Sequence, residues 1–189
     1  MIILASQSPR RREILEKLIP DFIVCPSDAD EQIDEADPRA YAMELAVRKG
    51  KDVAQSHPED TVIAADTIVC LGDRILGKPR DKQEAFAYLR ALSGEVHEVY
   101  TGVAVLHEGQ LHRFCECTEV QFRHLSDELI EGYIASGEPM DKAGAYGIQG
   151  IGGRFVEGIH GDFFNVMGLP LCALSCLFEE LGIVGGTQA

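Results

Sequence analysis

A chain of 189 residues, 46% hydrophobic and 25% charged, has enough apolar material for one compact domain with a sizeable core, which excludes a disordered or fibrous chain. Its 31 acidic residues outnumber 17 lysines and arginines for a formal charge of −14. That balance excludes a nucleic-acid polymer as partner, which needs a broad basic face, yet leaves room for a small phosphorylated ligand held by a local cluster.

No apolar run approaches the ~18 residues of a membrane span. The N-terminal Ile2-Ile3-Leu4-Ala5 is too short for a signal-peptide core. The expectation is a cytoplasmic protein with no membrane partner. The cysteines (Cys25, Cys70, Cys115, Cys117, Cys172 and Cys176) form no C-x-x-C pair. Cys70, Cys172 and Cys176 lie in apolar runs and are expected as reduced core residues. Zinc ligation and a disulfide framework have little support from this spacing.

Residues 2–5 read as a short buried strand. Ser8-Pro9 then gives a helix cap followed by proline at the first helical position, with Ile14, Leu15 and Leu18 as the apolar stripe. Residues 22–25 read as a second strand. An acidic stretch follows, and Asp37-Pro38 repeats the cap-plus-proline signal for a helix to about His57. The β-branched TVIAADTIVCLGD (61–73) reads as a strand ending in a turn. Gly77 to Asp81 is a loop, and a helix runs from Asp81 to about Leu92. Residues 96–106 and 111–122 form a hairpin around Glu108-Gly109. Ser126-Asp127-Glu128 opens another helix, and residues 139–153 are a glycine-rich loop. Residues 155–167 read as a second hairpin turning at His160-Gly161-Asp162. A last helix spans about Pro170 to Leu181, before a mobile tail from Gly185. Alternation in the first half and local pairing in the second point to a mixed α/β sheet, with two lobes around a cleft as one arrangement.

Several residues break local rules. Arg10, Arg11 and Arg12 crowd the first turn of a helix, whose amide ends already carry partial positive charge. Either an anion such as phosphate sits there, or the arginines pair with surface carboxylates. Asp66 stands inside an apolar strand, where a buried carboxylate needs a cation, a metal, an opening or a hydrogen-bonded structural role. Lys49 lies on the apolar stripe of its helix and either snorkels or reaches a polar site. Lys78, in a Gly-Lys-Pro loop, is a weak signal alone. GAYGIQGIGG (144–153) carries five glycines and matches neither a Walker A loop nor a G-x-G-x-x-G fingerprint. It permits close approach to a ligand or simply several turns. Gln149 within it could read a base edge with paired donor and acceptor. The acidic run around Glu31 reads as a solvated loop, or as a source of a carboxylate that joins Asp66 around Mg²⁺. The histidines show no ligand spacing, and no G-x-S-x-G elbow is present. Basic groups, carboxylates and a glycine loop together suggest nucleotide chemistry.

These segments, in this order, resemble the Maf family of nucleoside triphosphate pyrophosphatases. The resemblance is carried by LASQSPRR (4–11), the D-x-D-E ending at Glu31, LAVRK (45–49), AADTIV (64–69), LGKPRD (76–81), LSG (92–94), TGVAV (101–105), EPMDKAGAYGIQG (138–150) and VMGLP (166–170). It implies a single domain over residues 1–189 with a mixed twisted sheet, flanking helices and two lobes around a deep cleft, related to the inosine-triphosphate pyrophosphatases. It implies hydrolysis of a nucleoside triphosphate between the α- and β-phosphates with a divalent metal cation, Mg²⁺ or Mn²⁺. By the same resemblance Asp66 is the proton acceptor and Lys78 acts with it. Ser6, Arg11 and Lys49 hold phosphate, and Glu31 and Asp66 serve the metal. Arg10, Thr67 and Gln149 stand at the positions associated with substrate choice and match the dTTP/UTP branch. The alternatives are the 7-methyl-GTP branch and a non-catalytic nucleotide-binding regulator of septum formation. A homodimer is a family-level expectation. Arg12 is expected on the surface. Gly50, where the family usually has alanine, departs from the pattern and raises a question of local helix stability.

Overall fold

The computed structural model describes residues 1–183. The chain begins with β1 (Ile2–Leu4), α1 (Pro9–Leu15), β2 (Ile23–Val24) and α2 (Pro38–Ser56). It continues through β3 (Thr61–Leu71), β4 (Arg74–Leu76), α3 (Lys82–Leu92), β5 (Val96–His107) and β6 (Gln110–Phe122). After α4 (Asp127–Ala135) come three 3₁₀ turns, then β7 (Val156–His160), α5 (Phe163–Met167) and α6 (Leu171–Glu180). The caps explain the starts. Ser8, Asp37, Asp81 and Ser126 each accept from a backbone N–H three residues on, which satisfies an otherwise orphaned donor.

The strands form one seven-stranded mixed sheet in the order β2-β1-β3-β5-β6-β7, with β4 pairing β3 off that path. β1 pairs β2 and β3 in parallel, whereas β3–β4 and β6–β7 are antiparallel. β1 is apolar throughout, as a parallel strand covered on both faces must be. The chain divides into two compact units and passes between them inside three strands, after Asp66 in β3, after Tyr100 in β5 and after Glu116 in β6.

The first unit comprises residues 1–66, 101–116 and the chain from Gly168. Ile3, Ala5, Val53, Val62 and Ala64 pack together in it, and Ala46, Val47 and Ala104 form a second apolar group. Gly50 sits at the close approach of α2 to the sheet. A methyl group there would come within 2.7 Å of the Leu106 Cδ1 and 3.4 Å of the Ala64 Cβ. The glycine therefore seats the helix, and an alanine would first displace Leu106. The second unit comprises residues 67–100 and 117–167. Its core joins Leu76, Leu89, Leu92, Val99, Phe122, Ile130, Tyr146 and Phe155. His97 is buried there, edge-on to Phe122, with its Nε2 2.8 Å from the Tyr146 hydroxyl. Burial pushes its pKa down to about 4, so it packs as a neutral ring.

Five expectations need correction. Residues 155–167 are not a hairpin. β7 pairs with β6, and the Asp162 side chain then accepts from the Phe164 N–H at 2.7 Å to open α5. The aspartate expected as a turn residue is instead a helix-start signal. A second omission is β4, three residues folded back on β3 by the Gly72-Asp73 turn. Third, α1 ends at Leu15, so Leu18 lies beyond the helix and is half-buried, while Ile19 is buried. Fourth, the glycine-rich loop contains 3₁₀ turns at Glu138–Asp141, Ala143–Ala145 and Ile151–Phe155. Fifth, Cys172 and Cys176 are exposed on α6, while Cys70 and Cys115 are buried. The expectation for the tail from Gly185 lies outside the described residues.

Candidate active site

In the first unit the predicted residues converge. Asp66 occupies the last position of β3 within that unit and is half-buried. α2 turns the face bearing Leu45, Ala46 and Val53 inward, and Lys49 shares that face. Its ammonium lies 2.5 Å from Asp66 Oδ1 and 2.7 Å from Glu31 Oε1. The strand aspartate thus has a cation, and the lysine reaches a polar site rather than snorkelling to solvent. The Lys49 and Asp66 side chains are 15% and 13% exposed, against 62% for Glu31, so the pair is largely shielded from water while its second carboxylate stays accessible.

Glu31 is held by more than chance. The irregular segment around it is tied to α2 on both sides. Ser27 Oγ and the Asp28 N–H donate to the Asp52 carboxylate at 2.8 and 3.0 Å, and Arg48 donates to the Gln32 carbonyl at 2.8 Å. The acidic run is therefore a strapped loop that delivers one carboxylate to Lys49, although most of its other acidic side chains face water.

The three arginines do not act as one. Arg12 is exposed and pairs with Glu16 one turn on, at 2.9 Å. Arg11 turns inward. Its Nε donates to the Gly168 carbonyl at 2.8 Å and its Nη1 to Ser6 Oγ at 3.3 Å. Ser6 Oγ also accepts from the Ser8 N–H at 3.2 Å, which fixes the turn between β1 and α1. Burial pushes the Arg11 pKa down, the negative charge of Asp66 opposes that, Arg10 adds to the lowering, and Glu31 opposes it more weakly. Arg10, Arg11, Glu31 and Asp66 thus share one electrostatic neighbourhood. α1 has only seven residues, so the anion-attracting charge comes from the guanidinium groups and not from a long helix.

The remaining predicted residues belong to the second unit. Thr67 follows Asp66 on β3 and is half-buried. Lys78 is exposed in the loop after β4, and the Gly77 carbonyl accepts from the Gly144 N–H at 3.1 Å. Gln149 is exposed within 144–153.

That glycine segment contains a residue that sequence reasoning missed. Glu138 places its carboxylate inside the loop. Oε2 accepts from the Ile151 N–H at 2.9 Å, and Oε1 accepts from the Gly152 N–H at 3.0 Å and the Tyr133 hydroxyl at 2.9 Å. A Cβ at Gly150 would lie 2.5 Å from Glu138 Oε1, and one at Gly152 2.6 Å from the Tyr133 hydroxyl. The glycines admit an internal anion. Burial would raise the Glu138 pKa, but the bonds from Gly152, Ile151 and Tyr133, with the charge of Lys142, leave it below the ordinary carboxylate value. The readable signal was an acidic residue just ahead of a run of glycines.

Among the described residues no group of three or more His, Cys, Asp or Glu side chains is arranged to hold a metal, and no helix is long and apolar enough to cross a membrane. The chemistry present is a pair of carboxylates bridged by an ammonium, beside a partly desolvated guanidinium.

Residues 1–181 match the family described as Maf-like protein. A dTTP/UTP pyrophosphatase of Thermococcus kodakarensis is 54% identical over 183 residues, covering 96% of this chain and 97% of that protein. One from Thermococcus onnurineus is 56% identical over 171 residues, covering 90% and 92%. A bacterial protein of the same name, from Clostridium novyi, is 49% identical over 187 residues, covering 96% and 98%. Among solved structures, the Staphylococcus aureus Ham1 protein aligns with a TM-score of 0.47 at 16% identity, over 64% of this chain and 71% of that one.

Proposed function

The chain belongs to the Maf-like family, and from that membership we propose that it hydrolyses dTTP and UTP between the α- and β-phosphates, releasing pyrophosphate and the nucleoside monophosphate. The observation that carries the reading is the near end-to-end match, at about half identity, to proteins named for that activity.

The residues suit the chemistry. Phosphoryl transfer asks a protein mainly to position the reactants and neutralise charge. Arg11, oriented by Ser6 and the Gly168 carbonyl, holds phosphate oxygens. Lys49 adds a second cation and orients Asp66 through the 2.5 Å contact. Asp66 accepts a proton from the attacking water. Lys78 supplies a further positive charge to the phosphates. Arg10, Thr67 and Gln149 select the substrate. Gln149 suits a pyrimidine edge because its amide offers a donor and an acceptor together.

A divalent cation fits this donor set. Mg²⁺ prefers oxygen ligands and is commonly held by one or two carboxylates together with substrate phosphates, which Glu31 and Asp66 could supply. When bound, such an ion screens the negative charge of the phosphates. Cys70 and Cys25 are thiols within the fold, as suits a reducing compartment, and a cytoplasmic location is part of this reading.

The test is pyrophosphate release from dTTP, UTP, CTP, dATP, GTP and 7-methyl-GTP, each with Mg²⁺ or Mn²⁺. The expected result is preference for dTTP and UTP, with the matching monophosphates as products. Preference for 7-methyl-GTP would overturn the roles of Arg10, Thr67 and Gln149. Binding without release from any substrate would make the protein a nucleotide-responsive regulator.

A further inference from the structure

We propose that Glu138, with Tyr133, is the positioning residue for nucleobase selection: it fixes the turn that carries Gln149 without itself touching the nucleotide. The inference rests on the reading of Gln149 as a base-contacting residue. Gln149 occupies the third position of a turn closed by the Gly150 N–H donating to the Gly147 carbonyl at 3.2 Å. Both flanks of that turn are anchored to one connected group of atoms, the buried Tyr133 phenol and the half-buried Glu138 carboxylate. On one side, the Gly147 N–H donates to the Tyr133 hydroxyl at 3.3 Å. On the other, the Ile151 and Gly152 N–H groups donate to the Glu138 carboxylate. The phenol joins the two anchors by donating to the same carboxylate.

Gln149 itself is exposed, so its side chain gains no order from packing. Only the backbone can place it. A flexible turn would have to be ordered when the nucleotide arrives, and that cost weakens binding. The Glu138 anchor removes the cost in advance. The anchor is also built in. The Lys142 ammonium donates to the Glu138 carbonyl at 2.7 Å, and Tyr133 is buried at the end of α4. Side chains at 150 and 152 would occupy the space that the carboxylate and the phenol fill.

The test compares Glu138→Gln, Tyr133→Phe and Gln149→Ala in steady-state kinetics with dTTP and CTP. An amide in place of the carboxylate keeps one acceptor oxygen, so one of the two backbone donors is stranded. The expected result is a rise of about 10-fold in KM for dTTP with kcat within about twofold, the pattern of lost binding and not of lost chemistry. The preference for dTTP over CTP should fall in Glu138→Gln and Tyr133→Phe as it does in Gln149→Ala. Hydrogen exchange at the Ile151 and Gly152 amides should quicken in Glu138→Gln, which shows a folded protein with a loosened turn. If Gln149→Ala alters the preference while Glu138→Gln and Tyr133→Phe leave it intact, the positioning role is overturned and the reading of Gln149 stands. If Gln149→Ala leaves the preference unchanged, the reading of Gln149 fails and the inference falls with it. Should Glu138→Gln not fold, Tyr133→Phe, which keeps the carboxylate, decides the question alone.

Discussion

Asp66 and Glu138 are both carboxylates withdrawn from water, but their charge is balanced in different ways. Asp66 meets the side-chain ammonium of Lys49, which it shares with Glu31. Glu138 meets two backbone N–H groups and a phenol. A side-chain cation can rotate away, so its carboxylates can exchange it for another cation or a water. Backbone amides cannot leave without unfolding the loop that carries them. The first arrangement suits a site that must change partners during a reaction, and the second suits a fixture. Two identical functional groups thus differ in how readily they can change partners, by the kind of donor each receives.

The strongest way to break this contrast is Asp66→Asn. On the proposed role of Asp66 as proton acceptor, its loss should lower kcat for dTTP by at least about 100-fold, as removal of a general base commonly does. Pyrophosphate release checks it, and near-normal kcat would return Asp66 to a structural role. Next is Lys49→Met, which leaves Glu31 and Asp66 without their shared cation. Stability should fall by about 1–3 kcal/mol, the usual scale for a hydrogen bond to a charged group, read from the urea midpoint. The KM for dTTP should rise with it.

A pH experiment sharpens the other side. The folded-state pKa of Glu138 lies below its ordinary value of 4.5. Its stabilising contribution is therefore fully present above pH 4.5 and disappears as the pH falls through the lower folded value. Protection of the Ile151 and Gly152 amides from hydrogen exchange should persist at pH 4.5 and fail only below it. Failure near pH 6 would show that the carboxylate is not the anchor. The smallest effect belongs to Arg12→Ala. Its exposed pair with Glu16 is side chain to side chain, like Lys49 with Asp66, but wet. The change should cost no more than about 0.5 kcal/mol by thermal denaturation, with kcat unchanged.

Much of this was legible in the residue order. Ser8-Pro9, Asp37-Pro38, Asp81 and Ser126 announced four helix starts because capping is local chemistry. Asp66 and Lys49 were legible as anomalies, each a charge where the pattern called for an apolar residue. Their pairing was not, because nothing local connects α2 to β3. Glu138 escaped for a related reason. An acidic residue beside a turn is unremarkable until the chain returns 13 residues later to donate to it. Asp162 misled in the opposite direction, since an aspartate suits both a hairpin turn and the cap of a helix, and here it caps α5. The exposed Cys172 and Cys176 show the same limit, because an apolar run names a helix without naming its buried face.

The hydrogen bond from Arg11 to the Gly168 carbonyl spans 157 residues of sequence. It dates the birth of the site. At translation rates of about 5–20 residues per second, Arg11 waits roughly 8–31 seconds for the carbonyl that orients it. Glu31, Lys49 and Asp66 emerge early, yet the arginine beside them is aimed only once Gly168 has been made. A chain not yet extended to Gly168 therefore holds the charges of the site before it holds their final geometry.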